Sequence, residues 1–551
     1  MRHLLLYICL MFCLPSLAQQ PADGEQQKRL IYFKDKANTP FSLDKPLEFL
    51  SPRSVERRQR QNIALVTRDL PVNPAYVSRL KDAGAIVWYT SRWLNAAVVQ
   101  CSEEKLQELQ ALPFVESSRT LNRIALPLKP QRLLSTPKLE VVLADRAAPS
   151  LERGDYGLAF HQADMLGADE LHAAGFTGQG MTIAVLDAGF PGVNTIDAFA
   201  HLFQDNQLKG TFDFVKKQEN VFEGNSHGTS VLSTMAAFAP GKMIGTAFNA
   251  NYLLLRTEDA ASEHNIEEVN WLLAAEYADS AGADVINSSL GYTTFDAPST
   301  SYTYQDLNGN TAIVTKAADY AAATGMLVVV SAGNDGSKQW RYIGAPADAD
   351  SVLAVGAVDS LGVKASFSSF GPTADGRIKP DVVALGLRAY VLDVSGNVVK
   401  SNGTSFAGPI MAGFATALWQ ANSSKSNLQL MQLLRQIGSL AEAPNNSIGY
   451  GIPNFSRTVT SSPNPSVAEK VYITNPVKND PIVLTLGQEW LLQKVEVQVL
   501  DATGKQVYKQ LITQAKTEQA LSLQPHKLPK GLYLCRILSG NHVTTLRIMK
   551  L

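Results

Sequence analysis

Three side chains suited to nucleophilic catalysis lie far apart in the sequence, each at the end of an apolar stretch or directly before one. Asp187 closes the apolar run IAVLDAG, His227 stands in GNSHGTS before a stretch of small residues, and Ser405 stands in SNGTSFAGPI. A serine hydroxyl is a weak nucleophile that needs a base within hydrogen-bond reach, and histidine is the commonest base. Each residue alone also fits a plainer interpretation: Asp187 as a turn aspartate, His227 as a surface or capping residue, and Ser405 as a helix cap.

Short apolar runs around these residues predict the elements that position them. MTIAVLDAG, ADVINSSLG, MLVVVSAGN and SVLAVGAV lack polar alternation, which is typical of parallel strands covered on both faces. EEVNWLLAAEYADSAG and AIVTKAADYAAATG predict helices that end at a glycine. Residues 154–456 are therefore predicted to form an α/β domain, with Asp187 at the strand ends that collect ligands in such sheets. Ser405 precedes a further helix, and we expect Pro409 to be tolerated in its first turn.

The motifs VLDAG, NSHGTS, SAGND and NGTSFAGP, in this order, resemble those of the subtilisin-like serine peptidases, the subtilases. The resemblance implies a subtilisin-like three-layer domain and a catalytic triad. Ser405 would be the nucleophile, His227 the general base, and Asp187 the group that fixes the imidazole tautomer. The side-chain amide of Asn334 would stabilise the oxyanion.

The same resemblance implies a function and a substrate. Ser289, Leu290 and Gly291 would line the cleft and pair with an extended peptide. We expect a secreted serine endopeptidase that is made as a zymogen, forms an acyl-enzyme and acts on proteins or peptides. An inactive subtilase-fold peptide-binding protein or adhesin is the alternative, and esterase activity by the same triad stays open. No cofactor is expected for the chemistry; structural calcium is expected in the family, but no metal ligand is assigned.

The N-terminal region has the order of an exported zymogen. Residues 1–18 form a basic and then apolar signal peptide. Residues 29–119 contain a basic run, SPRSVERRQRQ, a strand and a helix capped by Ser102, which predict a small α+β unit. By position this unit resembles a subtilase propeptide, which acts as chaperone and inhibitor. Residues 120–153 are predicted to be a linker with the maturation site, between about Pro127 and Asp155.

The C-terminal region is predicted to be a separate β-domain. Residues 457–470 are a Ser/Pro-rich linker, and residues 471–551 alternate apolar and polar positions, which predicts a small antiparallel β-sandwich. NPVKND, VQVLDATGKQV and KGLYLCRI resemble type IX secretion sorting domains. The resemblance implies export through the periplasm to the surface or exterior and contact with outer-membrane secretion machinery; a carbohydrate- or protein-binding module is the alternative.

Composition excludes some other functions. The 551 residues include 49 Lys and Arg and 50 Asp and Glu, and the resulting net charge of -1 gives no positive electrostatic field that would attract nucleic acid. Cys9 and Cys13 lie in the signal peptide, which leaves Cys101 and Cys535 far apart and predicts no disulfide framework. We expect a monomer.

Overall fold

The structure is a computed structural model that describes residues 26–124 and 151–459 without interruption. It describes residues 471–550 apart from 474–476, 478–480, 487–489, 492, 502–504, 517 and 540–541. The predicted signal peptide and most of both predicted linkers lie outside the described residues.

The N-terminal unit is an antiparallel sheet with helices. Its elements are β1 (Gln27–Phe33), α1 (Pro52–Arg60), α2 (Pro74–Asp82), β2 (Ile86–Ser91), β3 (Ala96–Cys101), α3 (Glu103–Gln110) and β4 (Val115–Ile124). The strand order is β2-β3-β1-β4. The predicted cap of α3 is confirmed, because Ser102 Oγ accepts a hydrogen bond from the backbone N–H of Lys105 at 3.3 Å.

The central unit has helices on both faces of a parallel sheet, as the sequence predicts. Its helices are α4 (Phe160–Asp164), α5 (Ala168–Ala173), α6 (Ala200–Gln204), α7 (His227–Ala236), α8 (Ile266–Ala281), α9 (Ile313–Ala323), α10 (Thr404–Ala421) and α11 (Asn427–Gln436). Its strands are β5 (Thr182–Asp187), β6 (Leu208–Asp213), β7 (Phe238–Ala239), β8 (Met243–Ile244), β9 (Asn251–Arg256), β10 (Val285–Ser288), β11 (Leu327–Ser331), β12 (Val352–Val358), β13 (Val382–Leu385), β14 (Ala389–Leu392) and β15 (Val398–Ser401). Seven described strands form the main sheet, in the order β13-β12-β11-β10-β5-β9-β6, and all of its pairings are parallel.

Alternate residues of each central strand enter two different cores. On β5, Val185 packs with α7 and α10 on one face, and Leu186 packs with α8 and α9 on the other. The outer sides of α8 and α9 are also covered, and every residue of α8 except Tyr277 is buried, including several carboxylates. Their cover is the N-terminal sheet, whose Leu30 and Val98 share a buried cluster with Trp271 of α8.

The C-terminal unit consists of two small antiparallel sheets. Its strands are β16 (Tyr472–Ile473), β17 (Val483–Thr485), β18 (Val495–Leu500), β19 (Gln506–Ile512), β20 (Glu518–Ala520), β21 (Gly531–Ser539) and β22 (His542–Lys550). One sheet has the order β16-β17-β20 and the other β19-β18-β21-β22. A separate apolar core that includes Leu484, Val497 and Ile537 joins them, so the predicted sandwich is confirmed.

Short 3-10 turns complete the described helical structure, at Pro46–Glu48, Thr67–Asp69, Arg153–Tyr156, Asp197–Phe199, Tyr304–Asp306, Phe455–Val459 and Pro525–Lys527. None of the described helices combines the length and the apolar character needed to cross a bilayer.

Candidate active site

Asp187 and His227 meet at the carboxyl edge of the parallel sheet. Asp187 is the last residue of β5 and its side chain is fully buried, while His227 is the first residue of α7. The imidazole Nδ1 lies 2.9 Å from Asp187 Oδ1 and 3.0 Å from Oδ2. Asp187 Oδ1 also accepts the backbone N–H of Ala188 at 2.8 Å. Since an ionised carboxylate only accepts hydrogen bonds, Nδ1 carries the proton and Nε2 is left as the basic nitrogen.

A glycine allows the start of α7 to approach β5 this closely. A Cβ added to Gly228 would lie 2.3 Å from the carbonyl oxygen of Gly189 and 3.0 Å from Asp187 Cβ. No side chain fits in that space, so only glycine at position 228 allows this close approach of the two backbones.

The surroundings of His227 favour the imidazolium form. Burial alone would lower the pKa of His227, but the negative charge of Asp187 and its hydrogen bond raise it above the ordinary value. About a third of the His227 side chain is still exposed, at 32 %, whereas Asp187 is at 0 %. The imidazole therefore has a buried anion on one side and access to a ligand on the other.

Ser405 lies beside this pair, near the start of α10. It is the second residue of the helix and is 8 % exposed. The ring of the next residue, Phe406, packs against the His227 ring with their centroids 6.1 Å apart. Ser405 Oγ lies 3.5 Å from the carbonyl oxygen of Ser289, at the outer limit of a hydrogen bond. The hydroxyl is thus only weakly held by this neighbour.

The interpretation of Ser405 as a helix cap is wrong. Gly403 occupies the N-cap position, and Ser405 lies inside the helix, where its hydroxyl does not bond an N–H of the first turn. The cap residue, Gly403, has no side chain that could accept an N–H of the first turn, and its own N–H donates to the carbonyl of Gly386 at 2.9 Å.

The expected place of Pro409 is also corrected. Pro409 is the sixth residue of α10, so its missing N–H would have bonded the carbonyl of Ser405. The hydroxyl of Ser289 donates to that carbonyl instead, at 2.9 Å. Because of the proline, the Ser405 carbonyl has no helical N–H partner and accepts the Ser289 hydroxyl. This hydrogen bond connects the start of α10 to the segment after β10.

Asn334 follows β11 and faces solvent, with its amide oriented by the start of α10. Asn334 Oδ1 accepts the backbone N–H of Thr404 at 2.9 Å and the Thr404 hydroxyl at 3.0 Å. The same hydroxyl accepts the N–H of Gly333 at 3.2 Å. With its oxygen engaged, the amide presents Nδ2 as a donor that bonds to no described residue. Thr404, which is fully buried, has a positioning role that sequence analysis missed; its place directly before Ser405 was the available signal.

The predicted cleft residues follow β10 but differ in exposure. Ser289 is buried and bonds to α10, as described above, while Leu290 is half-buried against the core formed with α8 and α9. Gly291 is exposed, and Tyr292 N–H directly after it donates to Ala345 O at 2.8 Å. Leu290 and Gly291 are the part of this segment that a ligand can reach.

Three carboxylates between the end of β9 and the start of α8 lie close enough together to hold a metal ion. Oxygens of Glu258, Glu263 and Glu267 lie within 4.8 Å of one another. Glu258 accepts hydroxyl donors from Thr257 and Tyr292 at 2.7 Å, and Glu267 accepts two backbone N–H groups at 2.9 and 3.0 Å.

Without a bound cation, burial favours the protonated forms of these three carboxyl groups. Burial raises the pKa of Glu263 to about 8, with repulsion from Glu258 as the next cause. Burial raises the pKa values of Glu258 and Glu267 as well. We assign no metal to this cluster, and structural calcium stays a prediction without a site.

Comparisons with known proteins match each of the three units. The model of the subtilase family matches residues 178–451, that of the peptidase S8 propeptide domain of Bacteroidota matches residues 28–133, and that of the secretion system C-terminal sorting domain matches residues 463–550.

Individual relatives match over most of their own length. Subtilisin DY of Bacillus licheniformis is 32% identical over 289 residues, which are 52% of this chain and 93% of the relative. Subtilisin NAT of Bacillus subtilis subsp. natto is 30% identical over 376 residues, or 68% and 82% of the two chains. The crystal structure of a cold adapted subtilisin-like serine proteinase aligns with a TM-score of 0.41 and 23% identity, over 51% of this chain and 90% of that one.

Proposed function

Because the chain belongs to the subtilase family and is a secreted serine-type endopeptidase, we propose that Ser405, His227 and Asp187 are its catalytic triad. The observation that carries the proposal is the Asp187–His227 pair: Nδ1 is bonded to a buried carboxylate, Nε2 is bonded to none of the described residues, and the ring packs against Phe406, the neighbour of Ser405 in α10. This is the orientation that a base needs to accept a serine proton.

The reaction then proceeds through an acyl-enzyme. His227 Nε2 takes the proton of Ser405 Oγ as the oxygen attacks the peptide carbonyl, and returns it to the leaving amine when the C–N bond breaks. A water molecule, deprotonated by the same nitrogen, releases the acyl group. Asp187 stays ionised and stabilises the imidazolium. No cofactor takes part in these steps.

Two donors stabilise the tetrahedral oxyanion in this proposal. One is Asn334 Nδ2, which Thr404 turns outward, and the other is the backbone N–H of Ser405 in the first turn of α10. The helix dipole adds partial positive charge at the same place. An extended segment of a protein substrate would lie along Leu290 and Gly291, with Ser289 as the support beneath them.

Removal of the Asn334 amide is expected to slow the chemical step. For Asn334→Ala we expect kcat to fall by about 10²–10³-fold with little change in KM, the effect known for the equivalent donor in subtilisin. Steady-state kinetics on a chromogenic peptide would measure both constants. The melting temperature should fall by a few degrees, because the buried N–H and hydroxyl of Thr404 lose their acceptor. A kcat within about threefold of wild type would contradict the assignment.

The flanking units make the enzyme a zymogen for export. We propose the domain limits that the sequence predicts, except that β4 extends the propeptide to Ile124: propeptide 29–124, maturation segment 125–153, catalytic domain 154–456, linker 457–470 and sorting domain 471–551. The propeptide would inhibit the cleft until it is cut, and the sorting domain would engage the outer-membrane secretion machinery. We propose that the mature enzyme is a monomer.

The proposal is tested by intact-mass analysis of wild type and Ser405→Ala, each incubated alone and then with a serine-directed fluorophosphonate. The wild type should lose its N-terminal region and gain one adduct, because only an activated serine is phosphonylated. The variant should stay full length and unlabelled. A folded wild type that stays full length, and that remains unlabelled after limited proteolysis has removed the N-terminal unit, would favour the inactive peptide-binding alternative.

A further inference from the structure

Arginines of the propeptide unit converge on one carboxylate of the catalytic unit. Asp279, in the last turn of α8, has no exposed surface. Among the described residues, all of its side-chain hydrogen bonds and ion pairs go to the propeptide unit: to Ser54, Arg57, Arg58 and Arg92. Arg58 bonds both oxygens, at 2.8 and 2.9 Å. The arginines are 1–10 % exposed.

Asp279 is poorly placed without these arginines. A carboxylate in the last turn of a helix lies at the negative end of the helix dipole. Burial alone would raise the pKa of Asp279, but the charges of Arg58, Arg92 and Arg57 hold it far below its ordinary value. A buried, unpaired anion is strongly unfavourable, so a propeptide unit that covers Asp279 must also supply it with cations.

A second carboxylate, one turn earlier, repeats the arrangement. Glu276 is buried and accepts the backbone N–H groups of Arg92 at 3.0 Å and Trp93 at 3.2 Å, together with the hydroxyl of Ser91. These donors belong to the turn between β2 and β3. Glu276 thus binds backbone of the propeptide, whereas Asp279 binds its guanidinium groups.

The two carboxylates lie away from the proposed cleft. α8 ends just before β10 begins, so its last turn lies at the N-terminal edge of the parallel sheet. Asp187 is the last residue of β5 and lies at the opposite, C-terminal edge. Contacts at the N-terminal edge leave the triad untouched and do not depend on what the cleft holds.

We propose that Asp279 and Glu276 form a site that recognises guanidinium and backbone amide groups, through which the catalytic unit selects its own propeptide and retains it after the connecting chain is cut. The proposal rests on the proposed zymogen function only for the occurrence of that cut. A propeptide without arginines at positions 57, 58 and 92 would leave Asp279 buried and unpaired, and would therefore be rejected.

The test uses the full chain with Ser405→Ala and a site-specific protease sequence inserted after Pro137. After cutting, size-exclusion chromatography at successive times measures how fast the N-terminal fragment leaves. We expect slow release from this parent. Adding Asp279→Asn, which keeps the shape and removes the charge, should raise the release rate about a hundredfold or more. Glu442→Gln, an exposed carboxylate elsewhere on the catalytic unit, should release like the parent.

If Asp279→Asn does not fold, a variant in the propeptide unit tests the same ion pair. Arg92→Gln changes nothing in the catalytic unit and should also accelerate release, and the double variant should be less affected than the sum of the two single changes. Parent-like release from Arg92→Gln and from any folded Asp279→Asn would overturn the proposal. Because the assay needs no active serine, its outcome is independent of whether Ser405 reacts with the fluorophosphonate.

Discussion

Replacement of Ser405 by alanine is expected to lower kcat for peptide hydrolysis by about a millionfold, the loss known for the nucleophile of subtilisin. The reason is that the acyl-enzyme cannot form without Oγ. The oxyanion donors, which Thr404 and the first turn of α10 hold in place, remain and should leave about 10³–10⁴-fold acceleration over water. Protein that has first been freed of its N-terminal unit by limited proteolysis should be used, so that the inhibited cleft does not mask the comparison.

The measurement is the rate of product release from a peptide with a fluorescent leaving group, at saturating concentration. Ser447→Ala is a matched control, since Ser447 is an exposed serine in the loop after α11. It should retain the wild-type rate and the wild-type melting temperature. If Ser405→Ala retained more than about a hundredth of the activity, another nucleophile would have to be sought.

Asp187→Asn is the second large effect that we expect, with kcat about 10⁴-fold lower. The asparagine amide can donate to His227 Nδ1, which places the imidazole proton on Nε2, where it blocks acceptance of the serine proton. Fold and substrate binding should change little, because Asn fills the same space at the end of β5.

The pH dependence of kcat/KM distinguishes a catalytic defect in Asp187→Asn from simple misfolding. In the wild type, burial lowers the pKa of His227, and the stronger effect of Asp187 raises it, so the neutral, active imidazole appears only at higher pH. Without the carboxylate charge, the acid limb of kcat/KM should move to lower pH. Asp197→Asn, at an exposed carboxylate, should leave rate and profile unchanged. An unshifted limb in Asp187→Asn would mean that His227 is not the base.

Much of the fold follows from local pattern. The strands around Asp187 and Asn334 are continuous apolar runs because both faces of the sheet are covered, and α8 ends where Gly282 adopts φ 88, as the sequence predicts. The motifs around Asp187 and His227 predicted that these two side chains meet, and their hydrogen bond shows that they do. The supporting roles of Thr404 and Ser289 could not be predicted, because these residues act through contacts between elements that are distant in the sequence.

Other predictions failed where tertiary contacts replaced local ones. Ser405 has the residue type of a cap, yet Gly403 takes that place, and Pro409 removes a helix bond that Ser289 restores. The run SPRSVERRQRQ has the composition of a solvated helix. In the fold, Arg57 and Arg58 are 2 % exposed, because another unit supplies their anion. A single sequence does not reveal such a partner, since the pairing spans more than two hundred residues.

The same interface bears on the lifetime of the mature enzyme. Arg53, Arg57 and Gln61 donate to the carbonyls of Gly282, Thr324 and Gly325, at the C-terminal ends of α8 and α9, over 2.9, 3.1 and 2.7 Å. In the proposed maturation these bonds are lost with the N-terminal unit, so we expect the mature form to be less stable relative to its unfolded state than the full chain. Its survival outside the cell would then depend on the height of the unfolding barrier.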